Sequence, residues 1–377
     1  MSKPRVLYDA TLAVNPAGTG TFVRGLLEGL KAQADIEVLT SAFESSALSA
    51  LDTDRRGLAA RLRNSLRHLD YYLNVLPRRA DAMACDIIYC PSSLVPLRGR
   101  RPFLTTVFDL TQLTLSSTQD RMSGMYARAM LRLGLARATA FCTISQAVRS
   151  ELTGRFPEIK PERVHVTYPG PNPQLLAAAA VPAAIPDRPF VLMVGTMEPR
   201  KNHLTMLRAL AEHLTRRPGS GLTLVAAGSA GWRYQPVLRA IDELGLRDRV
   251  VRLGPVDPGA LKWLYQHARA LVFPSLYEGF GLPVLEALYL QCPVVAPRIP
   301  SVVEIIGDDG WLLEPGNVSA WATALDELID GPRDAAGLEA GLERARRFTW
   351  DACARSAVEA IYAALGSRRL AADSRSA

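Results

Sequence analysis

The stretch FPSLYEGFGLPVLE, residues 273–286, decides the fold. It closes the apolar run ALVFP at 270–274, breaks at Gly279 and Gly281, and resumes as a helical pattern with Pro283 near its start. A continuous apolar run bounded by turn residues reads as a strand buried on both faces, and proline marks the first positions of a helix. Glycines between the two let a backbone approach a ligand closely. The helix start adds unpaired N–H groups and the positive end of its dipole. Such a place suits a diphosphate. Two carboxylates, Glu278 and Glu286, flank it, and carboxylates repel phosphate. They are therefore expected to reach past the diphosphate to hydroxyls at either end of the ligand, as on a nucleotide-sugar. Acids held at a helix end by its dipole are the competing explanation. The strand before them and GFGLP between them weigh against it.

Working outward, short apolar runs alternate with helical patterns along the chain. In the first half strands are expected at 4–9, 36–40, 86–90, 103–108, 140–144 and 163–168, with helical stretches at 20–32, 121–137 and 146–155. The pattern breaks at 169–189, PGPNPQLLAAAAVPAAIPDRP, the best candidate for a linker. It then restarts, with strands at 190–194, 222–227, 250–253, 270–274, 293–296 and 311–313. Helices follow at 202–216, 235–244, 258–267, 283–290, 318–330 and 334–347, then a last helical stretch at 350–365 and a tail, 366–377, expected to be disordered. This predicts an α/β protein of two doubly wound parallel-sheet domains, with ligands at the carboxyl ends of the strands.

A chain of 377 residues is too long for one ordinary core, and 48% hydrophobic with 21% charged residues excludes wholesale disorder. The five cysteines (85, 90, 142, 292 and 353) form no CxxC pair, so neither a disulfide framework nor a zinc site is expected, and a reducing cytoplasm fits. No uncharged stretch reaches the roughly 20 residues that cross a bilayer. Net charge is +7 and almost wholly arginine. Residues 55–79 carry seven arginines against Asp70, interleaved with leucine and tyrosine. That is the composition of a basic amphipathic surface facing anionic lipid or a phosphate-bearing acceptor, although a merely solvated helix face explains it equally. No recognition motif for nucleic acid accompanies it.

The stretch PSLYEGFGLPVLEAL resembles the E-x7-E signature of the family 4 retaining glycosyltransferases of GT-B architecture. The likeness extends to GTGTFVRGL from Gly18, TISQAVRSEL at 143–152, GTMEPRKN at 195–202, AGSAGW at 227–232 and RLGPV at 252–256. The resemblance implies two Rossmann-like domains facing a cleft. These are an acceptor-side domain over 1–175, with helix 350–365 packing back on it, and a nucleotide-sugar domain over 185–347. It assigns Glu278 to donor-sugar hydroxyls, Glu286 to the ribose, the backbone of Gly279, Phe280, Gly281 and Leu282 to the phosphates, and Lys201 with Arg200 to the leaving diphosphate. Cations at a helix start oppose the dipole, so their placement there also asks for an anionic ligand. Gly195 and Thr196 are expected beside the diphosphate, Val256 at the base, and the loop Gly18–Gly20 closing from the first domain.

Three positions depart from the family. Thr196 stands where many members have arginine. Phe108 stands before Asp109 where many have histidine, leaving Asp109 as the nearest polar candidate, or as the cap of the next turn. Gln291 stands where glycine would ease a left-handed turn. Asp52-Thr53-Asp54 spells a metal-diphosphate D-x-D but sits in a polar helical stretch rather than at a strand end. The histidines (68, 165, 203, 213 and 267) have no ligand spacing and are expected at the surface or in caps. No metal and no cofactor is therefore expected. The wording of GTMEPRKN and AGSAGW points first to a GDP-mannose or GDP-deoxyhexose donor and a lipid-linked or polysaccharide acceptor. The alternatives are a UDP-sugar transferase making a soluble glycoconjugate and a non-catalytic nucleotide-sugar-binding scaffold.

Overall fold

The computed structural model describes residues 3–42, 66–92, 95–96, 98–111, 131–308, 310–331 and 334–373. The chain divides into two compact units, Met1–Gly170 with Phe348–Ala377, and Pro171–Arg347. In the first, strands β1 (Arg5–Asp9), β2 (Glu37–Ser41), β3 (Ile87–Cys90), β4 (Phe103–Val107), β5 (Ala140–Thr143) and β6 (Val164–Val166) form a parallel sheet in the order β2-β1-β3-β4-β5-β6. Helices α1 (Gly18–Lys31), α2 (Leu76–Ala82) and α3 (Gln146–Arg155) connect them. β3, β4 and β5 are buried along their whole length, which is why they read as unbroken apolar runs rather than as alternation.

The second unit repeats the plan. Its strands are β7 (Phe190–Val194), β8 (Thr223–Ala227), β9 (Val250–Gly254), β10 (Leu271–Val272), β11 (Val294–Pro297) and β12 (Leu312–Leu313), in the order β12-β11-β10-β7-β8-β9. Its helices are α4 (Pro173–Ala177), α5 (His203–Arg216), α6 (Gln235–Glu243), α7 (Pro258–His267), α8 (Leu282–Tyr289), α9 (Pro300–Ile306), α10 (Val318–Asp330) and α11 (Ala335–Ala345). The last helix, α12 (Trp350–Asp373), returns to the first unit. Strand order reverses between β1 and β3 in one sheet and between β7 and β10 in the other. At such a switch point the connecting helices leave to opposite faces, opening a crevice at the strand carboxyl ends.

α12 packs on α1 and on β4, β5 and β6. Contact with α1 is close because two glycines allow it: a Cβ on Gly25 would lie 2.2 Å from the Trp350 ring, and one on Gly29 2.7 Å from the Trp350 carbonyl. Phe22 joins them edge-on, 5.9 Å from Trp350 and 5.1 Å from Phe108 between ring centroids. Phe108 is thus taken into an aromatic cluster.

Several expectations need correction. The proline- and alanine-rich stretch 169–189 is not a free linker. It carries α4 and lies on α7, where Lys262 Nζ donates to the carbonyls of Leu176 (2.7 Å) and Ala178 (2.8 Å) and the Val181 N–H to that of Gly259 (3.1 Å). The expected tail is helical through Asp373. Gly18 and Gly20 are not a loop; they form the first turn of α1, where Gly20 lets the Asn15 carbonyl approach. α9 was not foreseen. Of the helix expected at 121–137 only 131–137, which is helical, lies among the described residues.

The basic stretch also differs from a purely amphipathic surface. Residues 55–65 lie outside the described residues, as does Asp52-Thr53-Asp54. Beyond them a π-helical turn, Tyr71–Val75, runs into α2. Tyr71 and Tyr72 face inward: Tyr72 Oη donates to Asp9 Oδ2 at 2.7 Å and Tyr71 Oη to Oδ1 at 3.2 Å, beside Thr11 Oγ1 at 2.5 Å. Burial pushes the Asp9 carboxyl up, and the hydroxyl donors only partly restore it. Here the tyrosines serve the fold, while Arg67 and Arg78 remain exposed.

Candidate active site

The second sheet's switch point brings together the loops after β7 and β10. After β7 the chain turns at Gly195, whose φ of +129° favours glycine, then runs through Thr196 into a 3-10 turn, Pro199–Lys201. Arg200 and Lys201 lie on that turn, just before α5 rather than inside its first turn. Asn202 stops the turn in the left-handed region (φ +55°) and ties the two loops together, its Nδ2 donating to the carbonyls of Pro274 (3.0 Å) and Pro315 (2.8 Å). The Leu276 N–H donates to the Arg200 carbonyl at 2.9 Å. Two loops some 75 residues apart in sequence are thereby fixed side by side.

The result is an ion cluster. Lys201 Nζ lies 2.7 Å from Glu278 Oε1 and 5.0 Å from the centre of the Phe273 ring. Arg200 Nη1 lies 2.6 Å from Glu278 Oε2 and 2.9 Å from the Tyr277 carbonyl, while its Nη2 lies 2.6 Å from Glu198 Oε1. Ser301 Oγ donates to the Glu278 carbonyl at 2.8 Å. The Glu278 side chain is only 9% exposed. Burial alone would raise its pKa, but Lys201 and then Arg200 outweigh burial and hold the carboxyl below its ordinary value. The two cations thus have a structural partner in Glu278, which accounts for their position even without an anionic ligand.

Glu286 behaves oppositely. It sits on α8, buried, with Tyr265 Oη donating to Oε2 at 3.1 Å, and burial pushes its carboxyl up to about 7, the Tyr265 hydroxyl and the Asn172 N–H opposing. Between the two acids Gly281 caps α8 with φ +128° and Phe280 is buried. Leu282 and Pro283 open the helix. Val256 follows β9, half-buried, beside Asp257, whose Oδ1 caps α7 by accepting from the Ala260 N–H at 2.9 Å. Met197 and Gly231 exchange backbone bonds with Ser229 and Met197 (2.8 and 3.1 Å), and a Cβ on Gly228 would lie 2.0 Å from the Gly195 carbonyl. The stretches 195–202, 227–232 and 252–256 therefore converge at the carboxyl end of the sheet.

The second unit thus gathers Gly195, Thr196, Arg200, Lys201, Val256, Glu278, Gly279, Phe280, Gly281, Leu282 and Glu286 at its strand carboxyl ends. Gly18, Gly20 and Asp109 belong to the first unit. Asp109 caps a turn, its Oδ1 accepting from the Thr111 N–H (3.0 Å) and Oγ1 (2.5 Å). Two histidines expected outside are buried. His213 bridges α5 to α10, with Nδ1 2.6 Å from Asp326 Oδ1 and Nε2 2.7 Å from Ser220 Oγ. Burial and the nearby Lys201 press His203 down to about 4, leaving it neutral. Sequence reasoning missed Glu198 and Trp232, whose Nε1 donates to Glu198 Oε2 at 3.1 Å. Both lie in stretches already singled out, but no spacing rule pairs residues 34 apart. Among the described residues no cluster of His, Cys, Asp and Glu is arranged to hold a metal ion, and no helix is long and apolar enough to cross a membrane.

Two Rossmann-like parallel units with this crevice define an α/β protein of the GT-B class. The family described as "Glycosyl transferases group 1" matches residues 179–345, and "Glycosyltransferase Family 4" matches residues 16–175. The chain is 31% identical over 325 residues to the O-antigen chain mannosyltransferase B of Escherichia coli, covering 80% of this chain and 82% of that protein. It is 32% identical over 230 residues to the D-inositol 3-phosphate glycosyltransferase of Acidothermus cellulolyticus, covering 57% of this chain and about half (51%) of that protein. Among solved structures, sucrose-phosphate synthase from Thermosynechococcus elongatus has the same fold with a TM-score of 0.73 at 20% identity, over 98% of this chain and 100% of that one. Anabaena Alr3699/HepE in complex with UDP-glucose gives 0.69 at 18%, over 95% and 99%. The chain belongs to family 4 of the glycosyltransferases.

Proposed function

We propose that this glycosyltransferase moves a hexosyl group from a nucleotide-sugar, GDP-mannose or a GDP-deoxyhexose first, to a sugar hydroxyl of a lipid-linked or polysaccharide acceptor. It retains configuration at C1 and uses no metal and no cofactor. The observation that carries this is the partly buried cluster of Glu278 with Lys201 and Arg200 at the switch point, with Glu286 one turn inside the following helix. In transfer the bond from C1 to the β-phosphate oxygen breaks and its electron pair stays with the phosphate. The acceptor oxygen bonds to C1, and its proton balances the charge on the departing diphosphate. Lys201 and Arg200 supply positive charge where that negative charge grows, the task a divalent cation performs in other sites. Glu278 accepts from hydroxyls of the sugar, and Glu286 from those of the ribose.

Mannose as the sugar is supported by the 31% identity to the Escherichia coli mannosyltransferase over most of both chains. A UDP-sugar donor is the second reading, supported by the UDP-glucose bound to the Anabaena protein. The exposed arginines at the end of the basic stretch support peripheral contact with an anionic membrane from the cytoplasmic side. Thermal unfolding with GDP, UDP, GDP-mannose and UDP-glucose tests the donor. GDP and GDP-mannose should raise the melting temperature most, and a chain indifferent to all four would refute the donor site. Slow hydrolysis of the stabilising donor should fall at least 100-fold in Lys201→Ala, the scale on which one oxyanion donor acts.

A further inference from the structure

We propose that Glu198 is a positioning residue that sets the charge of the diphosphate site and hence how readily the nucleoside diphosphate product leaves. This rests on the donor site proposed above. Glu198 is 17% exposed and both its oxygens are engaged: Oε1 accepts from Arg200 Nη2 at 2.6 Å, and Oε2 from Trp232 Nε1 at 3.1 Å. The backbones carrying it and Trp232 are themselves bonded, Met197 to Ser229 and Gly231 to Met197. Glu198 is therefore held by the ends of two adjacent strands. Glu278, by contrast, is held through its carboxylate chiefly by the cations it would have to share.

The cluster counts Arg200 and Lys201 against Glu198 and Glu278, a balanced set. A diphosphate entering it competes for Lys201 Nζ and Arg200 Nη1, the donors now on Glu278, and frees that carboxylate for sugar hydroxyls. It cannot displace Glu198 in the same way, because Trp232 pins the far oxygen. With donor bound, Glu198 still neutralises one of the two cations and keeps the guanidinium aimed by its second nitrogen. Once the proton taken up from the acceptor has passed to solvent, the nucleoside diphosphate carries one more negative charge than it did as donor. Two uncompensated cations would then retain the product, and Glu198 limits that retention.

Isothermal titration calorimetry with GDP and UDP on the full chain, together with steady-state kinetics, tests this. Glu198→Gln removes the charge but keeps an acceptor for Trp232. It should bind the nucleoside diphosphate about tenfold more tightly, lower kcat at least threefold, leave the donor KM unchanged or lower, and show stronger product inhibition. A residue that merely supports the loop would weaken affinity and turnover together. Trp232→Phe keeps the charge and releases Glu198. It should lower kcat while product affinity stays within twofold, and it keeps the test open if Glu198→Gln does not fold. Unchanged or weaker product binding in Glu198→Gln, or a tenfold tightening in Trp232→Phe, overturns the role of Glu198. A wild-type chain that binds neither nucleotide overturns the donor site, and this role with it.

Discussion

Glu278, largely enclosed, and Glu286, buried, lie eight residues apart and are shifted in opposite directions. Spacing made them candidates, but the partners that separate them, Lys201 and Arg200 for one and Tyr265 with the Asn172 N–H for the other, come from distant parts of the chain. A carboxyl that titrates near 7 gives the site a pH dependence. The folded chain binds the Glu286 proton more tightly than the unfolded chain does, so the stability this confers is complete below the ordinary value of 4.5 and is lost as pH rises through about 7. Glu286→Gln, which does not titrate, should gain on the wild type by roughly 2–3 kcal/mol between pH 4 and pH 8. Denaturant unfolding at the two pH values reads this directly, and a constant difference would contradict the buried acid. Ribose hydroxyls need the ionised form, so nucleotide affinity should rise about tenfold from pH 6 to pH 8 in the wild type and stay flat in the variant.

The helix end at Gln291 shows an element whose stop signal was legible and whose chemistry is costly. Cys292 N–H donates to the Ala287 carbonyl at 2.8 Å and Gln291 N–H to that of Leu288 at 3.1 Å, with Gln291 at φ +52°, the paired bonds of a Schellman stop. A residue with a Cβ gives up about 1 kcal/mol there, and the exposed bond from Gln291 Nε2 to Glu339 recovers little of it. Gln291→Gly should therefore raise the melting temperature by about 2–4 °C. Gly25→Ala is the opposite case: a methyl set into the Trp350 ring forces α1 and α12 apart, a loss of about 1–3 kcal/mol. An unaltered melting curve would show that the two helices do not meet there.

Elements of this sheet were legible because strands buried on both faces are continuous apolar runs, as at FVLMV. α9 was missed because PSVVEII is short, apolar and β-branched, so nothing in its pattern distinguishes helix from strand. The inward tyrosines were misread for a related reason: arginine density marked the segment as surface, and a buried acid 62 residues away is invisible to local composition.

At the scale of the whole molecule, the net charge of +7 is long-range and screened, whereas the Glu278 cluster is local and largely shielded from salt. The two can therefore be separated by ionic strength. Co-sedimentation with anionic vesicles should fall steeply between 50 and 500 mM salt, while nucleotide binding changes far less. Replacing Arg61, Arg63 and Arg67 together should weaken vesicle binding about 100-fold, at roughly 1 kcal/mol for each arginine. Equal binding by that variant would assign the charge to solvation alone.

The return of α12 to the first unit has a consequence for biosynthesis. The amino-terminal sheet leaves the ribosome with the Gly25 and Gly29 face of α1 uncovered, and its covering tryptophan is translated only after some 180 further residues. At about 5–20 residues per second that is a wait of roughly 9–36 seconds, during which the second unit can complete its own core. The order of emergence is therefore not the order of completion: the unit synthesised first is the one finished last.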